Sequence, residues 1–533
     1  MGRFDLAIVN GIVATSGDVG AYSIGVKDGK IAALAPSFTE EDLDGAEIID
    51  AEGAYVTPGG VDCHVHIAQD LTTGPRGSNG GQCADDFETG SRSAVAGGTT
   101  TMVSFALQTR EDESLLQVVE DYDHLAKETG CWIDYSYHII ISRLDKAILD
   151  AELPTLVAKW GITSCKLFMT YASLRLSDHD LMHVMLVARK HGVTVMLHAE
   201  SGDIIDFLTD QLEERGMVAP SFHGQARLPI AEGEATHRAI VLAEIVQTPV
   251  LFVHVSAAAA AEAIRAAQSR GLPIFGESCP QYFHLTWKDL SRFHSPFCFE
   301  NSKMICSPPP PPNEDDQEKL WTALRNGTFQ VYSSDHCPFR YDSPRGKLLG
   351  ILDDEVSMAG EPCEHGHQHD LVDLASRKQG HFKYVPNGCP GIETRLPILF
   401  EYGLKTGRLS PEKFVEVTSS NAAKLYGMYP KKGALLPGLS DADITIWYPD
   451  GRLKPFKLEN SMLHHNVDYT PYEGMEFSNW PRYTILRGKV MWANGELKGS
   501  AGDGQYLRRS ESLFGKKVPG PKLDPARVPV WMH

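Results

Sequence analysis

The 533-residue chain has no apolar run long enough to cross a bilayer, so a helical membrane protein is not expected. Met1 to Asp5 has no basic region and no apolar stretch after it, so no secretory signal is expected either. Positive charge is in deficit, with 50 Lys and Arg against 69 Asp and Glu, a net −19. A surface of that sign repels nucleic acid and anionic lipid, and neither is expected as a partner. Cysteine is sparse: ten residues lie scattered without paired spacing and read as reduced thiols, not as a disulfide framework. No internal repeat is visible. The rest is 42% hydrophobic and 22% charged, the composition of a soluble globular protein too long for one ordinary domain. A large, acidic enzyme of the cytoplasm is the expectation.

The chain begins and ends in β-like texture. Phe4–Val13 alternates and carries an Asn10-Gly11 hairpin signal, with short strands expected at Ser23–Val26, Lys30–Leu34 and Glu47–Asp50. Strands are also expected at Ala442–Trp447, Tyr483–Arg487 and Lys489–Ala493, with a turn at Asn494-Gly495. Between them lie eight apolar runs: Gly60–His66, Thr99–Phe105, Trp132–Ile140, Ile162–Phe168, Val193–His198, Val250–His254, Leu272–Glu277 and Phe329–Asp335. Helical patterns such as Asp178–His191 and Ala257–Ser269 separate them. Eight strand–helix alternations point to an α/β fold with a parallel barrel, a doubly wound open sheet being the alternative. His66, His198, His254 and Asp335 each close a strand, and barrel enzymes place their chemistry at that end. The expected division is a β-sandwich part at 1–56, a barrel at 57–430, the rest of the sandwich at 431–498 and a tail at 499–533. The tail is either a loose end or an arm on a neighbouring subunit.

Asp62-Cys-His64-Val-His66 places two imidazoles on one face of a strand, a natural chelate for a divalent metal. Alone, the pair could equally be two solvated histidines. His198 and His254 shift that balance, because each ends a strongly apolar strand where a lone polar group is costly. With Asp335 the set reads as a metal site. Four neutral imidazoles and one carboxylate are short of negative charge for two divalent ions. Lys166, at the end of the fourth strand, could supply the missing anion if carbon dioxide converted it to a carbamate. From spacing alone, a lysine paired with a rim carboxylate is the simpler account of Lys166.

These residues match a family. Pro58-Gly-Gly-Val-Asp-Cys-His-Val-His66, Gly97-Gly-Thr-Thr-Thr101, Lys166-Leu-Phe-Met-Thr-Tyr171, Leu197-His-Ala-Glu200 and Ser334-Asp-His-Cys-Pro-Phe339 resemble the dihydropyrimidinase and hydantoinase branch of the amidohydrolase superfamily. So do Pro386–Glu393, Thr418–Gly427, His464–Asp468 and Tyr472–Met475. The resemblance implies a distorted (β/α)8 TIM barrel with a β-sandwich domain built from both termini, and two Zn2+ per subunit bridged by carbamylated Lys166 and hydroxide. His64, His66 and Asp335 would hold one ion, His198 and His254 the other. Asp335 would act as general base and then acid, and Tyr171 would stabilise the oxyanion. Ser307 and Asn387 would anchor the ring amide largely through backbone groups. A homotetramer is also implied.

Dihydroorotase-like and allantoinase-like members usually carry Arg or Asn two positions after the second His, and here that residue is Ala68. The expected substrate is therefore a neutral ring, a 5,6-dihydropyrimidine or a 5-substituted hydantoin, opened to an N-carbamoyl amino acid. Two segments depart from the family pattern. Pro308–Pro312 is a stiff proline run. Glu364–Asp370 is His-rich and reads as an exposed polar loop before it reads as a further metal site. The competing functions are a non-catalytic relative, disfavoured because all six candidate ligands are present, and a deaminase-type site, disfavoured by Lys166.

Overall fold

The structure, a computed structural model, describes residues 2–71, 81–351 and 380–514. Eight parallel strands, Gly60–Val65, Thr99–Leu107, Asp134–Ile140, Ser164–Phe168, Thr194–His198, Val250–Phe252, Ile274–Ser278 and Val331–Tyr332, are hydrogen-bonded in sequence order. They coincide with the eight apolar runs. Every residue of Gly60–Val65, Asp134–Ile140, Ser164–Phe168 and Thr194–His198 is buried, because helices cover one face and the barrel interior the other. The helix Asp178–Lys190 shows why the intervening segments coil. Ser177 caps it, acids open it, Arg189 and Lys190 close it, and Leu181, Val184, Met185 and Ala188 form its buried stripe.

The eighth strand is shorter than the run Phe329–Asp335 suggested, and other contacts complete the curl. Val65 bridges His336 in parallel. The fully buried Arg395 donates to Tyr332 O at 2.9 Å and lies 3.4 Å from Asp62 Oδ2, and Asp62 Oδ1 accepts from Ser334 N at 3.2 Å. First and last strands are thus joined through side chains where ladder bonds are few.

A nine-stranded mixed sheet is built from both ends of the chain: Leu6–Ala14, Val19–Lys27, Lys30–Ala35, Glu47–Asp50 and Tyr55–Pro58 from the start, and Ile444–Trp447, Pro481–Leu486, Lys489–Ala493 and Glu496–Leu497 from the end. The halves meet where Ile444–Trp447 runs antiparallel to Tyr55–Pro58. The expected turn at Asn494-Gly495 is present, both residues having positive φ. The expected hairpin at Asn10-Gly11 is not. Leu6–Ala14 is one strand whose two halves pair with the same neighbour, and Asn10, at φ 57°, absorbs an irregularity in the register between Ile8 and Gly11.

The tail up to Phe514 packs on this chain's own barrel, at the end opposite the strand termini that carry the histidines. Leu507 N donates to Tyr135 O at 2.7 Å, and Arg509 donates to Ser136 Oγ and Ser164 Oγ, both at 2.9 Å. Gly427, at φ 69°, permits this approach, since a Cβ there would sit 1.8 Å from Ser510 O. An arm on a neighbour remains an expectation for 515–533, which lie outside the described residues, as does Glu364–Asp370. The proline run is buried from Pro308 to Pro311 and packs inward, with Tyr282 OH donating to Pro308 O at 3.1 Å.

One buried cluster ties barrel to sheet. Lys432 Nζ reaches Asp134 at 2.5 Å, Asp443 at 2.7 Å and Asp441 at 3.0 Å, and Arg487 also pairs with Asp134. These carboxylates hold the Lys432 ammonium well above its ordinary range, against the opposing effect of burial. Lys432→Met would leave three buried acids without their shared cation, at a cost of roughly 3–5 kcal/mol. The expected readout is an earlier denaturant midpoint, and an unchanged midpoint would show that the acids do not depend on Lys432.

Candidate active site

The C-terminal strand ends converge. Rings of His66 and His64 lie 5.4 Å apart between centroids, His64 and His254 5.3 Å, and His254 and His198 4.4 Å. His64 Nε2 is 3.2 Å and His66 Nε2 3.7 Å from Asp335 Oδ1, and ligand atoms of these three residues all lie within 4.8 Å of one another. Lys166, fully buried in the middle of Ser164–Phe168, donates from Nζ to His64 Nε2 at 3.2 Å. Lys166 makes no ion pair with a rim carboxylate among the described residues and instead contacts this imidazole.

Burial governs the protonation of the group. It pulls His66 down to about 3 and His198 to about 4, and His64 and His254 well below their ordinary value, with the charge of Lys166 adding to the effect in each case. Neutral imidazoles are the ligand-competent form. Burial likewise lowers Lys166 to about 8, so its neutral amine is accessible, and raises Asp335 to about 7 against the pull of Lys166.

Each imidazole but one is oriented through its second nitrogen. His64 Nδ1 donates to Glu277 Oε1 at 2.6 Å, His66 Nδ1 to Gln69 Oε1 at 3.1 Å, and His198 Nε2 to Glu200 Oε2 at 2.6 Å. Such partners fix the tautomer and aim the other nitrogen. His254 Nδ1 is buried with no hydrogen-bond partner. A donor set of neutral imidazoles, a carboxylate and a reactive amine, with one orphaned buried nitrogen, fits divalent metal. His254, Asp335 and Tyr171 also have positive φ of 41°, 47° and 66°, a conformation that non-glycine residues hold at a cost and that collects at functional sites.

Tyr171 stands beside this cluster, its ring 5.3 Å from that of His198, and its hydroxyl accepts from Asn387 Nδ2 at 3.4 Å. Ser307 neighbours the same hydroxyl, and burial pushes the Tyr171 phenol up to about 12, so it stays protonated. The structure therefore brings Tyr171, Ser307 and Asn387 to one wall.

Three groups at this site were not foreseen from the sequence. Glu277 closes the apolar run Leu272–Glu277 as His198 closes its own, and carried the same signal. Glu200 closes the motif Leu197-His-Ala-Glu200, in which only His198 drew a role. Arg227 donates to Glu200 Oε2 at 2.8 Å and stacks its guanidinium 5.2 Å from the Tyr171 ring. Burial would raise the Glu200 carboxyl, but Arg227 and His198 hold it at about 2.

A parallel barrel with imidazoles, a lysine and an aspartate gathered at its C-terminal strand ends has the architecture of metal-dependent hydrolases. A profile of the amidohydrolase family matches residues 55–491. The D-hydantoinase of Geobacillus stearothermophilus is 38% identical over 507 residues, covering 95% of this chain and 96% of that protein. A D-hydantoinase crystal structure superposes with a TM-score of 0.83 at 36% identity, over 95% of this chain and 99% of the other. The dihydropyrimidinase of Brevibacillus agri does so with 0.81 at 35% identity and the same coverage. The chain belongs to the amidohydrolase family, in its dihydropyrimidinase and D-hydantoinase branch.

Breaking the Glu200–Arg227 pair from one side should be costly. Glu200→Ala leaves a buried guanidinium unpaired, an expected loss of about 3–5 kcal/mol, and Glu200→Ala with Arg227→Met should recover part of it. Denaturant midpoints of the two single variants and the double variant check this; strict additivity would mean that the pair is not coupled.

Proposed function

We propose that this enzyme hydrolyses the ring amide of 5,6-dihydropyrimidines and 5-substituted hydantoins to N-carbamoyl amino acids, using two zinc ions. The observation that carries the reading is the convergence of His64, His66 and Asp335 with Lys166 at 3.2 Å from His64 Nε2. Names of the relatives, hydantoinase and dihydropyrimidinase, support the substrate class.

When bound, the divalent ions supply Lewis acidity and an acidified water. His64, His66 and Asp335 would hold one ion, and His198 and His254 the other. Lys166 would join them as a carbamate. Its neutral amine adds to carbon dioxide, forming an N–C bond and releasing one proton, so the cation that would repel metal becomes an anion. Asp335 takes the proton of the attacking water as the O–C bond forms. It returns that proton to the ring nitrogen as the C–N bond breaks, so the leaving group departs neutral. The Tyr171 O–H donates to the carbonyl oxygen as it becomes an oxyanion. The backbones around Ser307 and Asn387 hold the ring amide.

Ala68 offers the substrate no cation, and Arg227 does not replace one, because Glu200 already neutralises it. That supports a neutral ring. The burial of eight cysteines among the described residues, at scattered positions in the chain, supports reduced thiols and a reducing compartment, which we take to be the cytoplasm. Exposed Phe207, Ile230 and Phe297 support burial against further copies of the chain, which we take to form a homotetramer. We also propose the division at 1–56, 57–430, 431–498 and 499–533, with the last residues as a subunit arm.

A panel of dihydrouracil, 5-substituted hydantoins, allantoin and dihydroorotate with zinc supplied tests the reading, and preferential turnover of the last two would overturn it. Lys166→Ala should lose both bound metal and activity, and Asp335→Ala turnover. Tyr171→Phe should lower kcat by about 10²–10³ while metal content stays at the unmodified level. Metal analysis beside steady-state rates separates these outcomes.

A further inference from the structure

Lys347 is fully buried and lies at the start of the short turn Lys347–Gly350, beyond the last barrel strand. Its Nζ donates to three backbone carbonyls: Ile305 O at 2.9 Å, Pro386 O at 2.7 Å and Gly388 O at 2.8 Å. An ammonium has three N–H bonds and no acceptor, so its donors are all spent on these contacts. No carboxylate pairs with it among the described residues. Burial lowers it to about 8, opposed by the nearby thiols of Cys389, Cys306 and Cys337. Burying a cation without a counter-ion is expensive, and the three carbonyls are what offset that cost here.

The placement of the three acceptors gives that cost a purpose. Pro386 and Gly388 flank Asn387 on either side, and Ile305 lies two residues before Ser307. Gly388 N also donates to Ile305 O at 3.1 Å, so the two loops already touch there. Cys389 Sγ adds weaker contacts to Lys303 O at 3.6 Å and Ile305 O at 3.9 Å, and Lys347 reinforces them with a three-point clamp. Phe339, on the segment following Asp335, lies against the same ammonium, its ring centroid 5.8 Å from Nζ. Backbone carbonyls cannot be altered by substitution, so a donor from outside is the means by which the sequence can fix where these loops stand.

We infer that Lys347 is a positioning residue that sets the separation of the Ser307 and Asn387 loops, and so the fit of the cyclic amide ring between them. The inference rests on the reading that those two loops seat the ring. Lys347 touches none of the candidate metal ligands, so its loss should act on substrate fit and not on metal binding.

The test uses zinc-loaded Lys347→Met, with Lys347→Gln as a second variant that keeps polar donors and folds if the first does not. Dihydrouracil and its two ring-N-methyl forms are the substrates. The expected result is unchanged metal content with a KM for dihydrouracil raised about tenfold. A further fall in kcat/KM of up to about 10²-fold is expected from the misplaced ring. The variants should also lose the preference of the unmodified enzyme for the unmethylated ring. A variant that keeps KM and that preference within twofold of the unmodified enzyme would overturn the role of Lys347. If the unmodified enzyme itself shows no preference between the three rings, the seating of the ring by these loops fails first, and the inference falls with it. Loss of metal from both variants would also overturn it, by placing the effect in the metal centre.

Discussion

The hydrogen bond from His64 Nδ1 to Glu277 Oε1, 2.6 Å long and wholly buried, is the contact on which the site's geometry turns. It fixes the ring so that Nε2 faces Asp335 and Lys166. The same oxygen accepts from His254 N at 3.3 Å, so one carboxylate sets both a side chain of the first strand and the backbone of the sixth. Burial raises Glu277 to about 8, with Lys166 opposing. The carboxyl is therefore held by its partners and not by solvent. Gln69 and Glu200 repeat the device for His66 and His198. A barrel interior has little room for a flexible ligand, and each of these rings has one nitrogen committed before any ligand arrives.

Rigidity of this kind has a local cost that is offset elsewhere. His254, Asp335 and Tyr171 hold left-handed backbone, at roughly 1–3 kcal/mol each. They sit where strand ends break from the ladder, and the ladder beyond Val331–Tyr332 is thin. Asp62, Arg395 and Ser334 supply the missing closure. At the opposite end of the barrel Arg509 bonds Ser136 and Ser164, and Lys432 ties barrel to sheet. Contacts at both ends of the barrel therefore offset the strain held at the mouth.

How much of this the sequence announced depends on the range of each interaction. The eight strands were legible because both their faces are buried, which leaves unbroken apolar runs. A histidine or aspartate closing such a run stands out, since a polar group there is expensive without a purpose. Glu277 closes its run in the same way, but its partner lies 213 residues earlier, and a single sequence does not pair them. Arg227 and Lys347 were silent for the same reason: their acceptors come from other loops. The Asn10-Gly11 signal misled because left-handed backbone serves a bulge as well as a turn. Only the neighbouring strand decides which.

The charges of the site bear on what it selects. The chain carries −19, yet inside the mouth charge is either paired or suppressed by burial. Glu200 is paired with Arg227, while burial pushes Glu277 up to about 8 and Asp335 up to about 7 and so works against their negative charge, and the imidazoles are neutral. A wall so neutralised has little free charge with which to attract or reject a substrate. Discrimination must then come from shape and from hydrogen bonds made by backbone groups held in place. On the proposed reading those groups lie around Ser307 and Asn387. A neutral cyclic amide, which offers N–H and C=O groups but no charge, is the kind of molecule such a wall can recognise. On that reading the net −19 of the chain plays no part in selection, which falls to shape and hydrogen bonding in the interior.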